Sequence, residues 1–333
     1  MSSRIASGHK TLSPPRKAGN FASSGGFPNS PDTLTHGVPK RFLSAPVVPT
    51  KSCAVALRRV PIKRGRMKNL PWHSKAVLAL TVFLPVFFLI SALGTKIGLW
   101  GWQIGLLALT MGGGVIILGL LALIAAISLV LVLIRKPRRN GLAGLALGGL
   151  VVAGGVLTMF ASMANTASKN PIHAVATDTA TPPAFSAETM AAREKAEANP
   201  LNDYQTPLSE IPVFEGVSPS VAIRSHAQII TETYPTLQPL PLGQASPQQG
   251  AAAVAAAMDE LGFKSIRSDS AAGRVEGVAE TYWFAFKDDV VARISDKQID
   301  FRSVSRVGQS DLGANAKRIA ALRAATAAKL GGG

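Results

Sequence analysis

The hydrophobic pattern of the chain changes halfway along. Ala76 to Thr95, AVLALTVFLPVFFLISALGT, is twenty residues without a charge, close to the roughly 20 that cross a hydrocarbon core of about 30 Å. Gly101 to Ile134 is uncharged for thirty-four residues, and Trp100 and Trp102 stand where an aromatic anchor meets the headgroups. Gly112, Gly113 and Gly114 offer that span a place to kink, and Pro85 is tolerable in a membrane helix, where neighbours satisfy the freed carbonyl. A third, glycine-rich stretch runs from Gly141 to Met163. The pattern predicts three transmembrane helices, at about 76-95, 103-134 and 142-163. A cleavable signal peptide is the rival reading of the first. Its apolar core is longer than a signal's usual 7–15 residues, and two more spans follow it directly.

After Met163 the long apolar runs give way to short periodic ones. Asn170 to Phe185 is extended, because Pro171, Pro182 and Pro183 exclude a continuous helix. A short helix from Ser186 to Ala198 and a proline-spaced linker to Val217 follow. Ser218 and Pro219 open a helix with Ile223, Ala227, Ile230 and Tyr234 on one face, ended by Pro235, and Thr236 to Leu242 reads as a strand. Ser246-Pro247-Gln248-Gln249 is a capping box before the stripe Val254, Met258, Leu261, with Gly262 closing the helix. Phe263 to Ser268 and Arg274 to Phe286 read as strands around the turn DSAAG. In the next hairpin, a turn at Ser295 to Gln298 sets Ile294 against Ile299, Arg293 against Asp300, Ala292 against Phe301 and Val291 against Arg302. One face, with Val290, Ala292, Ile294, Ile299 and Phe301, is core, and the other carries Asp289, Arg293, Asp300 and Arg302. A closing helix from about Asp311 to Leu330 turns Leu312, Ala316 and Ile319 inward.

The predicted fold class is a multi-pass membrane protein with three transmembrane helices plus a C-terminal α+β domain, its antiparallel sheet covered by helices on one face. Four parts follow: residues 1-66, the helices within 76-163, a lead-in segment with its first helix over 164-245, and an α+β core over 246-333.

Charge changes the picture next. The chain of 333 residues has a formal net charge of +16 and a pI near 10.4, which suggests nucleic acid. Residues 1-66, however, hold twelve Lys/Arg against Asp32 alone, whereas residues 164-333 hold sixteen against eighteen acids. The basic balance belongs to the N-terminal side, so nucleic acid is excluded and the lipid bilayer is the expected partner. Lys63, Arg64, Arg66, Lys68 and Lys75 precede the first span, and Arg135, Lys136, Arg138 and Arg139 fill the second turn, while Lys96 stands alone in the first turn. Positive loops stay in the cytoplasm. The N-terminus is therefore expected inside, and the C-terminal domain outside, which in a bacterial inner membrane means the periplasm. Residues 1-66 read as a disordered basic arm touching anionic headgroups, or as the product of a start assigned too early, with Met67 the alternative. Gly144-x-x-x-Gly148 lets another helix approach closely; it packs the chain's own helices together or joins a homodimer.

Candidate chemistry concentrates in RSVSRVGQSDLGANAKRI, Arg302 to Ile319, where serines, arginines and glycines crowd before an amphipathic run. A strand-turn-helix joint accounts for it: Gly308 turns the chain and Ser310 or Asp311 caps the helix. As an anion site it would place the Asp311 carboxylate where the anion belongs. As a nucleophile turn, Gly308 to Gly313 reads G-x-S-x-x-G, one residue longer than the elbow requires. A base is also needed, and His173 and His226, the only histidines of this half, read as surface or packing residues. Asp288 and Asp289 are neighbours on a strand and point to opposite faces, with Asp289 facing an arginine. Cys53 is the only cysteine and lies in the N-terminal arm. Neither a metal constellation nor a cofactor motif is present in the sequence, so no cofactor is expected.

NPIHAVATDTATPPAF, YPTLQPL, WFAFKDDVVARI and RSVSRVGQSDLGANAKRI occur in that order. Together they resemble the bacterial and plastid family catalogued as domain of unknown function 1499, often found behind membrane spans, over about Asn170 to Leu330. The resemblance implies an exported or lumenal small α+β domain and carries no established activity. Its motif positions are Asp178, Pro183, Phe185, Trp283, Lys287, Asp288, Asp289, Arg302, Ser303, Ser305, Arg306, Gly308, Asp311, Gly313 and Asn315, and with Ser310 they are where a site would lie.

Two functional readings come out of the sequence. The first is a non-catalytic envelope module whose exported domain binds a lipid, a small molecule or a protein partner, motivated by the Trp283, Phe284 and Phe286 run. The second is a hydrolase or transferase using Asp288 or Asp289 with Arg302, Arg306 and Ser310, which requires one pocket to gather those side chains.

Overall fold

The computed structural model describes residues 70–137 and 139–331. The basic arm, and Arg138 of the second turn, lie outside the described residues. Three helices are long and apolar enough to cross a membrane. Helix α1 is Trp72–Lys96. The second span begins as a π-helix, Gln103–Gly113, and continues from Gly114 as α2, Gly114–Ile134. Helix α3 is Asn140–Lys169. The glycine triplet thus marks a change of helix type: the wide π turn leaves carbonyls free, and Ser91 and Thr110 both donate to the Gly105 carbonyl. Outward-facing residues such as Val82, Phe83, Ile90, Ile116, Leu123 and Val151 stay exposed, as a lipid-facing surface requires. The bundle core is Val77, Leu84, Leu118, Leu121, Ala125 and Ala153.

After α3 the chain enters strand β1, Ala174–Ala176, then helix α4, Ala187–Lys195, whose N-cap Ser186 accepts from Thr189 N–H. Two 3-10 turns, Leu208–Glu210 and Pro212–Phe214, precede α5, Pro219–Ala222, and α6, His226–Thr233. Then come β2, Leu240–Pro241; α7, Pro247–Glu260; β3, Lys264–Asp269; β4, Arg274–Glu280; β5, Lys287–Ile294; β6, Gln298–Ser305; and α8, Ala314–Gly331. The sheet is antiparallel in the order β1, β6, β5, β4, β3, and β2 pairs with β6 beside β1. The β5/β6 register is the predicted one: Ile294 faces Ile299, Arg293 faces Asp300, Ala292 faces Phe301 and Val291 faces Arg302. On the face with Val290, Ala292, Ile299 and Phe301, helices α7 and α8 bring Val254, Met258, Ile319 and Leu322 into one core.

The opposite face is not solvated. The segment from Asp178 through α6 closes over it, with Phe185, Tyr204, Leu208, Ile211 and Phe214 buried. The stretch read as a proline-spaced linker is therefore packed structure. Several other local expectations change for identifiable reasons. The helix expected from Ser218 to Tyr234 is two, because Leu208 N–H takes the Arg224 carbonyl and a fresh capping box starts at Ser225 with Gln228; Ile223 is left exposed. The strand expected over Thr236 to Leu242 shrinks to two residues, since Pro239 and Pro241 cannot donate to a ladder. Strand β4 stops at Glu280 instead of reaching Phe286: Thr281 N–H donates to the Phe286 carbonyl and Thr281 Oγ1 accepts from Phe286 N–H, closing a loop with Ala285 at φ 53. Leu261 and Leu312, expected inside, are partly exposed, one at the α7 C-cap and the other at φ 53 ahead of α8.

In the bundle, Gly149 rather than Gly144 or Gly148 makes the close approach. A Cβ at Gly149 would sit 2.8 Å from Val77 Cγ1 and 3.3 Å from Ala125 Cβ, whereas nothing lies within 4 Å at Gly144 or Gly148. The Gly144 and Gly148 face is thus exposed and plays no part in packing the chain's own helices. Gly149→Leu should therefore lower the thermal midpoint of the detergent-solubilised protein, an overpacking penalty of about 1–3 kcal/mol. Gly148→Leu should leave that midpoint unchanged and weaken any homodimer, measured by cross-linking in the same membranes. Equal loss of stability in both variants would contradict this packing.

Candidate functional site

The family-like motif residues divide between the two faces of the sheet. Asp288 points to the helix side, where its carboxylate meets Arg318 of α8 at 2.6 Å. Arg318 also reaches Ser303, and Ser303 Oγ donates to Asn315 Oδ1 at 2.6 Å. Asn315 in turn donates from Nδ2 to the His173 carbonyl and to Ser305 Oγ, each at 3.0 Å. This chain of bonds fastens the start of α8 to β6 and β1. Asp311 completes it as the helix cap, accepting from Gly313 N–H at 2.7 Å and Asn315 N–H at 2.9 Å. Burial pushes the Asp311 carboxyl up, against the pull of those two donors. Ser310 Oγ donates to the Asn170 carbonyl at 2.9 Å.

The other face carries Asp289, which is 1% exposed. Its oxygens take Arg193 Nη1 at 2.7 Å and Arg306 Nη2 at 2.7 Å, with Arg306 Nε at 3.0 Å. A carboxylate stripped of water needs such partners, because an unpaired buried charge is far more costly than a paired one. Burial lowers the Arg193 pKa and the Asp289 carboxylate opposes that shift. Arg193 comes from α4 and donates also to the Asn199 carbonyl at 2.7 Å, so the pair clamps the covering segment onto the sheet. At the far end, Arg293 bridges Asp300 and Asp178, each at 2.9 Å. Burial would raise the Asp178 carboxyl, but donors from Thr181, Ala180 and Arg293 hold it below its usual range. Glu276 on β4, unremarked in the sequence, accepts from Ser186, Thr189 and Arg267; these donors outweigh burial and keep its pKa low.

The residues proposed for hydrolysis are therefore distributed. Asp288 lies across the sheet from Asp289, Arg302 and Arg306, and both carboxylates are held by guanidinium groups. Neither His173 nor His226 hydrogen-bonds a serine among the described residues. His173 and His226 are buried against Phe214 and Tyr204, with His173 stacked on Phe214 at 5.4 Å. Burial, then the neighbouring His226, Arg193 and Arg302, bring His173 down to about 3. Burial and Arg302 bring His226 to about 4.

Two motif positions lie elsewhere. Lys287 is exposed at the start of β5 and offers its carbonyl to Arg306 N–H at 3.0 Å. Trp283 is 53% exposed, in the loop that ends β4, and this loop rests on the membrane helices. Lys96 Nζ donates to the Tyr282 carbonyl at 2.8 Å and lies 4.3 Å from the Tyr282 ring centroid, while Trp102 meets Phe286 edge-on at 6.4 Å. Beneath the loop an apolar pocket of about 540 Å³ is lined by Pro85, Phe88, Leu89, Met159, Phe160, Trp283 and Phe284, among others. That volume falls within the roughly 300–1,000 Å³ of ligand sites. Sequence reasoning singled out the aromatic run but could not foresee the pocket, which needs residues from α1, the second span, α3 and the β4/β5 loop together.

Residues 174–326, the C-terminal domain, match the model of the family described as "Protein of unknown function (DUF1499)". The resemblance carried by the four motifs is thus shown for this domain. No curated protein and no solved structure matches the chain.

Two outcomes follow from this geometry. Asp289→Ala leaves Arg193 and Arg306 without their carboxylate in the interior and should destabilise the domain by about 3–5 kcal/mol, read as a fall in the denaturant midpoint of the purified protein; a change within error would refute the clamp. The histidines set an acid dependence. Their folded pKa values lie below the unfolded value of 6.5, so the unfolded chain binds more protons, and stability is full above about pH 6.5 and falls as the pH drops toward 4 and then 3. The slope is at most about 1.4 kcal/mol per pH unit for each histidine. Thermal midpoints across that range check this, and His226→Phe should flatten the curve.

Proposed function

We propose that this protein is a membrane-anchored module whose C-terminal domain lies on the non-cytoplasmic side and holds a lipid-like apolar ligand at the junction with its own helices, without performing chemistry on it. The observation that carries this reading is the pocket beneath the aromatic loop. Its walls are the upper halves of α1 and α3 with part of the second span, and its roof is Trp283 and Phe284 from the exported domain. A groove on a membrane helix bundle is filled by lipid in any case. A roof supplied by a folded domain is what turns such a groove into a site that selects its occupant. Tryptophan suits the role, since its amphipathic ring is at home at headgroup level.

The topology is supported by two independent features. Cations flank the spans on the side of the N-terminus and the second turn, as the inside rule demands. After three spans the C-terminal domain emerges on the side of the Lys96 turn, and Lys96 is the residue that touches Tyr282. In a bacterial cell this side is the periplasm. The reading without catalysis is supported by the motif carboxylates, which are committed to buried ion pairs.

Native mass spectrometry of the full chain, released gently from a mild detergent, tests the proposal. The expected result is a reproducible lipid-class mass, shed on denaturation, whose retention falls several-fold in a Trp283→Ala, Phe284→Ala double variant with an unchanged thermal midpoint. A bare protein, or equal retention by the variant, would overturn the reading and move attention to protein partners of the exposed loop.

A further inference from the structure

On the sheet face that carries Asp289 lies a second polar group for which no ion pair accounts. Arg302 is buried, and no carboxylate of the described residues pairs with it. Its Nη1 donates to the Pro183 carbonyl at 3.2 Å, and its guanidinium lies 5.5 Å from the Phe185 ring centroid and 5.2 Å from that of Tyr204. Its Nε has no hydrogen-bond partner. The same is true of both ring nitrogens of His226, His173 Nδ1 and Asn202 Nδ2, while Tyr204 Oη has only the Arg302 guanidinium beside it. These groups share one neighbourhood: the rings of Tyr204 and His226 are 5.6 Å apart and those of His226 and His173 are 5.9 Å apart. Asn202 is two residues from Tyr204. Buried polar atoms almost always find partners, so several orphans side by side point to an occupant.

Charge says which kind of occupant. Arg302 and Arg306 both act on Arg193 on this face, and the carboxylate among them, Asp289, has both oxygens already taken. Asp311, whose charge reaches Tyr204, is occupied as the α8 cap. Water would satisfy the hydrogen bonds and leave the excess positive charge in place, whereas an anion accepts from the donors of the cluster and also offsets that charge. Each neutral imidazole still has one N–H to give. A surface depression of about 450 Å³, lined in part by Arg193, Glu194, Asn199 and Pro200, opens beside the cluster, and the Pro200 backbone abuts His173.

We infer that Arg302, Tyr204, His226 and His173 form a built site for one small monovalent anion of the halide, nitrate or formate kind, taken up from the compartment the domain faces. The inference stands apart from the lipid reading and uses none of its residues.

Thermal unfolding of the full chain in detergent, at about pH 8 so that both histidines are neutral, provides the test. Chloride, nitrate or formate replaces gluconate at fixed ionic strength. The midpoint is expected to rise and saturate with at least one of the three ions. Tyr204→Phe, which removes only the hydroxyl, should raise the half-saturating concentration on the order of tenfold. Arg302→Gln should abolish the response, and if that variant does not fold, Tyr204→Phe carries the test alone. The absence of a saturable response to any of the three ions, or the same half-saturating concentration in Tyr204→Phe, would overturn the inference and leave ordered water as the occupant.

Discussion

The C-terminal domain depends on Asp289 being held between Arg193 and Arg306. Three separate pieces of chain meet at that carboxylate: the centre of the sheet, the helix of the covering segment, and the residue that follows β6. With the pair formed, the second face of the sheet can be closed by a segment that has little regular structure of its own. A one-residue slip of β5 would carry Asp289 to the helix side, among Val254 and Met258, and strand two guanidinium groups. The ion pair therefore fixes register as well as position, which apolar packing alone would do less strictly.

Much of the sheet was legible in the sequence because its rules are local. Alternation in VVARI and QIDFRS assigned the faces, the length of the turn assigned the register, and the capping box at Ser246 and the joint at Gly308 carry their own signatures. What could not be read has long range. Arg193 meets Asp289 across 96 residues, and Glu276 meets Ser186 across 90, with no periodicity to announce either. The helix over 219–233 broke because a carbonyl was wanted by Leu208, a demand made from outside the segment.

The candidate sites show the same division. Asp288 and Asp289 pointing apart followed from strand geometry alone. The histidines, which read as surface or packing residues in the sequence, are neighbours of Arg302, and only the fold of the covering segment brings them there. The aromatic run suggested a strand because Trp and Phe favour one. Its exposure became intelligible once the membrane helices stood beneath it.

The join between membrane and domain is short. Helix α3 ends at Lys169 and β1 starts at Ala174, and the four residues between them reach at most about 14 Å when fully extended. Since β1 is hydrogen-bonded into the sheet, this tether fixes the height of the domain above the bilayer by covalent geometry. The aromatic loop thus meets the helices as an intramolecular event, at an effective concentration in the millimolar range or above. Contacts too weak to recruit a free domain are then sufficient to hold the loop on the helices.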